Sequence, residues 1–296
     1  MDSAQKEHGI IGRDQANQIT MLFLDSHHIV DLYCWVDGEV GYPVEKGSGR
    51  PSLLIDSEVI TVLVWNALIL RQKTLKDLHR FVSLYHADDF PSLPKYSGFV
   101  AACHRALPKC FELLQSLLDV GASTRIMDST MLPVCRLHRA DHHKVAKKLA
   151  QFGKNWQGWH YGFKLHASIN LSGSLSAIAL TPANVYDAQM EHLLLNRNCR
   201  VAVGDTLYGA RVMRERMWRR YGTAVIAPPH PKQKKKIAAL WQINLLNVRS
   251  KIESVFDYLK EHMHLVTSFP RSLQGYLLHY VRILLGYQIM ALSQGK

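Results

Sequence analysis

The run HYGFKLHASINLSGSLSAIALTPA (160–183) holds the alternation on which the fold turns. Tyr161, Phe163, Leu165, Ala167 and Ile169 fall on one side and His160, Lys164, His166 and Ser168 on the other, a period of two that defines a β-strand. NLSGS (170–174) reads as a hairpin turn and LSAIALTPA (175–183) as the returning strand. Upstream, STRIMDST (123–130) is an earlier strand, followed by a basic segment. Downstream come a helix, DAQMEHLLLNR (187–197), a strand, CRVAVGD (199–205), and a basic helix, GARVMRERMWRRYG (209–222). A strand, TAVIAPP (223–229), a lysine-rich loop and the helix RSKIESVFDYLK (249–260) follow. Three strands, helix, strand, helix, strand, helix is the order of a mixed α/β sheet with helices packed on it.

Before residue 121 the pattern is helical. SEVITVLVWNALIL (57–70) starts at Ser57 in N-cap position, and TLKDLHRFVSLYHADDFP (74–91) starts at a Thr and stops before Pro91. SGFVAACHRALPKCFELLQSLLDVG (97–121) ends at Gly121, with Pro108 expected to kink or split it. GEVGYPVEKGSGRPS (38–52) reads as an exposed loop. The chain thus divides into a helical N-terminal domain, 1–120, and an α/β domain with C-terminal helices, 121–296.

The 47% hydrophobic content over 296 residues excludes a disordered tail. MDSAQKEHGI lacks the pattern of a secretory signal, and YLLHYVRILLGYQIMAL (276–292) carries His279 and Arg282, so a buried helix is expected rather than a membrane span. Five cysteines without a CxxC fit a reducing cytoplasm and neither a disulfide framework nor a zinc ribbon. The net charge of +12 is unevenly spread: residues 1–100 carry 9 Lys/Arg against 13 Asp/Glu, so the excess lies in the second part. RLHRADHHKVAKK (136–148), RVMRERMWRR (211–220) and KQKKK (232–236) supply much of it, and a polyanion such as nucleic acid is the natural partner.

Three carboxylates stand where they need a reason. Asp128 lies inside a strand, where an unpaired carboxylate is costly. Asp205 closes the strand CRVAVG, at the carboxyl end where ligand sites gather. Glu253 borders the apolar face of its helix, in a stripe with Arg249 and Lys260. Each has a plain alternative: an internal hydrogen-bond acceptor, a turn residue and an intrahelical ion pair with Arg249. Together, with the first and fourth expected strands as neighbours and the last helix across them, they can converge. Several hard oxygen ligands are what two Mg²⁺ ions need to clamp the attacking and leaving oxygens of an in-line phosphoryl transfer.

IMDST, VGDTLYG and RSKIESVFDYLK, in this order and with YGFKLH and TPANVYD between the first two, resemble the DDE transposases of bacterial insertion sequences, nearest to the nine-eighty-two group. Arg249, Glu253 and Lys260 match the family's spacing of Arg, three residues, Glu, six residues, Lys, while Leu246 stands where a Tyr often precedes that Arg. The resemblance implies an RNase H-like catalytic domain, two Mg²⁺ ions (Mn²⁺ substituting), and Asp128, Asp205 and Glu253 as catalytic metal ligands. It further implies cleavage at terminal inverted repeats of double-stranded DNA with strand transfer by a 3′-hydroxyl, a homodimer on DNA, and a nucleoid-associated bacterial protein without a membrane role. Arg249 and Lys260 become DNA contacts. The interval from TAVIAPP to Glu253 leaves no room for the large insertion domain of some relatives. A nuclease of this fold that only hydrolyses, or an inactive DNA-binding derivative, stays open at this point.

Weaker signals surround this set. HRADHH (138–143) has the residues of a metal site but reads better as a mobile DNA-facing loop, with Arg139, Lys147 and Lys148 as phosphate contacts. Lys164 and His166 share the polar side of their strand, either near phosphate or as a solvated face. Asp187 is most simply a helix N-cap. Trp156 and Trp159, near Lys154, can stack on an extruded base, although burial is the commoner fate of such aromatics. The N-terminal helices suit either a DNA-binding helix-turn-helix or a dimerisation unit.

Overall fold

The computed structural model describes residues 29–40, 53–229 and 239–294; most of the expected loop at 38–52 and the lysine run at 232–236 lie outside them. Among the described residues four helices precede the sheet: α1 (Ile29–Val40), α2 (Asp56–Trp65), α3 (Leu75–Tyr85) and α4 (Tyr96–Leu117). A π turn, Asn66–Leu70, continues α2. Thr74 caps α3 as expected, its hydroxyl accepting from the Asp77 amide at 3.1 Å. Ser57 does not cap α2; it sits inside the first turn and donates to Asp37, while the Glu58 carboxylate reaches back to the Ile55 amide at 2.8 Å. Pro108 does not split α4. The His104 carbonyl, which a helical amide at 108 would have bonded, accepts instead from the Gln274 side chain at 3.3 Å.

Six strands form one sheet: β1 (Thr124–Pro133), β2 (Gln151–Asn155), β3 (Gly158–Ile169), β4 (Leu175–Pro182), β5 (Val201–Val203) and β6 (Ala224–Ile226). Their order is β2-β3-β1-β5-β6, with β4 also on β3. β3 runs antiparallel to β1, β2 and β4, whereas β1, β5 and β6 are parallel. The expected strands and their order are all present, and β2 is an addition within the basic segment. The β3–β4 turn is held by Asn170, whose side-chain oxygen accepts from the amides of Ser172, Gly173 and Ser174.

After β4 the expected long helix is only a 3-10 turn, Asp187–Gln189, and a single α-turn, α5 (Glu191–Leu194). α6 (Arg211–Tyr221) ends at Gly222, whose left-handed φ of 69° closes it. α7 (Leu240–Asn247) and α8 (Ser250–Asp257), the latter continued by the π turn Tyr258–His262, precede the long α9 (Leu273–Gln294). Residues 276–292 are thus a buried helix, and among the described residues no helix is long and apolar enough to cross a membrane.

One apolar core runs from α1–α4 through α8 and α9 to one face of the sheet, so the hydrophobic interior does not divide at residue 121. α9 is pinned across it by polar contacts: Tyr276 donates to Val134 O at 3.1 Å, Tyr287 to Gly173 O at 2.9 Å, and Gln288 bridges Leu117 O and the Leu175 amide at 2.7 Å each. A smaller cluster, including Met127, Leu194, Tyr208 and Met213, covers the opposite face under α5 and α6. With both faces covered, the polar side of β3 is buried as well, which the alternation alone does not reveal.

Candidate active site

Ile126 of β1 pairs with Val203 of the parallel β5. Asp128 and Asp205 each lie two residues beyond that pair, so they come level at the same end of the sheet. Asp128 accepts from the Ser129 amide at 2.8 Å. Asp205 leaves the strand as the N-cap of a 3-10 turn, Thr206–Gly209, and accepts from the Leu207 amide at 2.9 Å. The turn is fixed beneath by Tyr208, packed so tightly on Gly204 that a Cβ there would lie 2.7 Å from its ring.

The third carboxylate comes across from α8. Arg249, immediately before that helix, pairs with Glu253 at 2.5 Å and extends its other terminal nitrogen to within 3.9 Å of Asp128. The intrahelical ion pair is therefore real, and the same guanidinium also reaches the strand. Burial lifts the Asp128 carboxyl from 3.8 to about 6; the Ser129 amide and Arg249 oppose the rise, and Asp205 and Asp187 add to it. Asp205 is likewise raised by burial, against its two backbone hydrogen bonds. Lys260 feels Asp128 through space, and burial lowers its pKa. Arg249 thus joins Asp128 to Glu253, while Asp205 and Lys260 are linked to Asp128 only through space.

Lys164 and His166 do not face outward. They pair with Met131 and Ser129 across β1–β3, which sets them on the face opposite Asp128. Lys164 donates to Val185 O at 2.8 Å and to Asp187 at 3.1 Å, and His166 Nε2 meets Thr181 Oγ1 at 2.9 Å. His166 is fully buried, and burial drives its pKa down. Asp187 is the centre of this layer and no N-cap: it opens the 3-10 turn, accepts from Ser129 Oγ at 2.9 Å, and lends its carbonyl to Tyr208 Oη at 3.5 Å. It links the residue next to Asp128 with the turn that carries Asp205. The sequence signal was Lys164 on a strand face that proves buried, a cation in want of a carboxylate.

The basic segment after β1 forms a 3-10 turn, Leu137–His142, anchored by buried Ala140, with Arg139, Lys147 and Lys148 exposed. His143 packs edge-on against Tyr161 and Tyr276. Among the described residues no three His, Cys, Asp or Glu side chains stand close enough to hold a metal ion as they are, HRADHH included. The two tryptophans escape burial: at the tip of the β2–β3 hairpin Trp156 is 90% and Trp159 56% exposed. Lys154 stands over the Trp159 ring at 5.8 Å. Trp159 also borders a groove of about 430 Å³ with Arg136, Leu137, His160 and Phe269.

Two carboxylates level on neighbouring parallel strands of a mixed α/β sheet form a candidate site of the kind that α/β proteins carry at strand ends. The chain matches the family described as Transposase DDE domain over residues 121–273, just over half its length, and belongs to that family. Among curated proteins and among solved structures no match is found.

Proposed function

We propose that this transposase cleaves double-stranded DNA at the terminal repeats of an insertion sequence and joins the freed 3′-hydroxyl to a target strand. The guanidinium of Arg249, which reaches both Asp128 and Glu253, is the observation that supports this reading. An RNase H-like reading of the domain is supported by the β4-β3-β1-β5-β6 order, three antiparallel strands followed by two parallel ones. Membership of the nine-eighty-two group rests on motif spacing alone.

Asp128, Asp205 and Glu253 would hold Mg²⁺, or Mn²⁺ in its place, two ions in all. The donors are hard oxygens, and two level carboxylates with raised pKa values favour a cation between them. When bound, such ions supply Lewis acidity at the scissile phosphate. Glu253 leaves its contact with Arg249 for that role. Arg249 and Lys260 then bind flanking phosphates, while Arg139, Lys147 and Lys148 extend the basic track. Lys164 and His166, inside the Asp187 layer, brace the site without touching DNA. Trp156 and Trp159 stack on an exposed base beside the track. The helices before residue 121 bind DNA ends or a second copy in a homodimer, and the protein works on the nucleoid.

The test is incubation of the purified chain with DNA carrying the native flanks of its gene and Mg²⁺ or Mn²⁺, scored for cut 3′ ends and joined strands. Both products are expected. Asp128→Asn, Asp205→Asn and Glu253→Gln should each abolish them while DNA binding persists, and wild-type cleavage by any one would remove that residue from the centre. Cutting without joining would favour a hydrolytic nuclease.

A further inference from the structure

A cationic recess of about 370 Å³ shares no residue with the acidic centre. The N-terminal turns of α3 and α9, helices of 11 and 22 residues, both border it, and Lys73, Lys76 and Arg271 stand exposed around it. Helix N-termini carry partial positive charge and favour anions. Ser272 Oγ, at the start of α9, accepts from the Gly275 amide at 3.0 Å.

Arg282 lies among the lining residues, only 2% exposed. Its Nη2 donates to His279 Nδ1 at 3.2 Å, while Nε and Nη1 have no hydrogen-bond partner. No carboxylate pairs with it among the described residues. His279 is a poor counterweight: its Nε2–H donates to His264 O at 2.9 Å, which leaves Nδ1 as the acceptor, and the ring is neutral, with burial and Arg282 holding its pKa at about 3. A buried guanidinium without a counter-charge is strongly unfavourable. The other lysines and arginines that line the recess, Lys73, Lys76 and Arg271, add to its positive charge, and Asp77 beside it is engaged by Thr74, whose hydroxyl donates to it at 2.6 Å. The missing partner is an anion with several acceptor oxygens.

We propose that this recess binds a phosphate group, with the two unpartnered nitrogens of Arg282 as its buried anchor and Lys73, Lys76 and Arg271 as its rim. The inference does not depend on the reading of the acidic centre. The phosphate can arrive on a DNA backbone or as a small phosphate ester, and the two sources are separable.

The experiment measures thermal unfolding of the full chain in inorganic phosphate against chloride at matched ionic strength, together with duplex DNA affinity as a function of salt. Wild type should unfold later in phosphate. Arg282→Met should abolish that rise, and Lys73→Ala, an exposed position that leaves the core intact, should reduce it. If the group belongs to DNA, inorganic phosphate will compete with duplex, and the slope of log affinity against log salt will fall by about one in Arg282→Met. If it is a small ester, duplex binding will be unchanged while the phosphate response is lost. No phosphate response in wild type, or an equal response in wild type and both variants, overturns the proposal. Should Arg282→Met fail to fold, Lys73→Ala and Arg271→Ala carry the same comparison.

Discussion

Asp128→Asn should make the metal-free protein more stable, because the wild-type carboxylate is charged in a place that disfavours charge. Its carboxyl is lifted from 3.8 to about 6, chiefly by burial and then by Asp205 and Asp187. That difference corresponds to about 3 kcal/mol for ionising the group inside the fold relative to water. Side-chain exposure of 23% lets solvent screen part of it, which leaves about 1–3 kcal/mol. The sign follows from proton linkage: between the two pKa values the folded state holds the proton more tightly. The stabilisation is fully present below 3.8 and is lost as pH rises through about 6. Asparagine keeps the acceptor for the Ser129 amide and carries no charge. Over a chain of this length a gain of about 2 kcal/mol corresponds to a rise of about 3 °C in unfolding temperature. Melting curves of both proteins in chelator, from about pH 4 to about pH 8, should coincide at the acid end and separate with the variant higher near neutrality. Adding Mg²⁺ should raise the wild type and leave the variant behind, since a cation that binds only the folded carboxylates stabilises by mass action. A variant no more stable than wild type near neutrality, or a gap that ignores pH, would refute the account of why this carboxyl is perturbed.

The layer behind the acidic centre gives a second prediction. Asp187→Ala strands Lys164 in the interior without its carboxylate and should cost about 3–5 kcal/mol in chemical denaturation. Asp187→Asn, which keeps an acceptor for Ser129, should cost less. Trp156→Ala should leave the melting temperature unchanged, since the ring is 90% exposed, yet weaken single-stranded DNA binding by about 1–3 kcal/mol in a fluorescence titration. Gly286→Ala would set a Cβ 2.6 Å from that of Ala67, where α9 crosses the end of α2, and should lower stability by about 1–3 kcal/mol. Unchanged stability there would mean that the N-terminal helices do not rest on α9 as described.

The sheet was legible because its strands differ so clearly in pattern. The alternation at 160–169 yields β3, the turn at 170–174 yields β4, and the punctuation by Gly222 and the proline pair at 228–229 bounds α6 and β6. β2 was hidden, since QFGKN (151–155) has too little apolar content to signal a strand and is held by pairing with β3. Such pairing is a long-range interaction that local sequence does not carry. The helix expected at 187–197 shrank for a related reason: Asp187 is drawn into the Lys164 ion pair, and Asn196 takes Arg125 and Val120 O as partners, so both ends are held by tertiary contacts and only Glu191–Leu194 remains α-helical.

Asp128, Asp205 and Glu253 stood out in the sequence by their positions, and the charges around them were assigned more loosely. A polar residue on an alternating strand was assigned to water or to DNA, because sequence shows which side chains share a face and not what covers that face. Here α5, α6 and the Asp187 turn cover it, and Lys164 of β3 becomes the internal partner of a carboxylate assigned to a helix cap. The tryptophans failed the opposite way: judged by hydrophobicity they belong inside, yet they sit at the tip of a two-residue hairpin whose ends are fixed by β2 and β3. In both cases the position of the backbone outranked the character of the side chain. Arg249 escaped that ambiguity because it sits one residue before a helix whose apolar face, Ile252, Val255 and Phe256, is buried. With that face docked, the direction of its side chain is fixed, and a guanidinium in that direction meets Asp128 and Glu253 together.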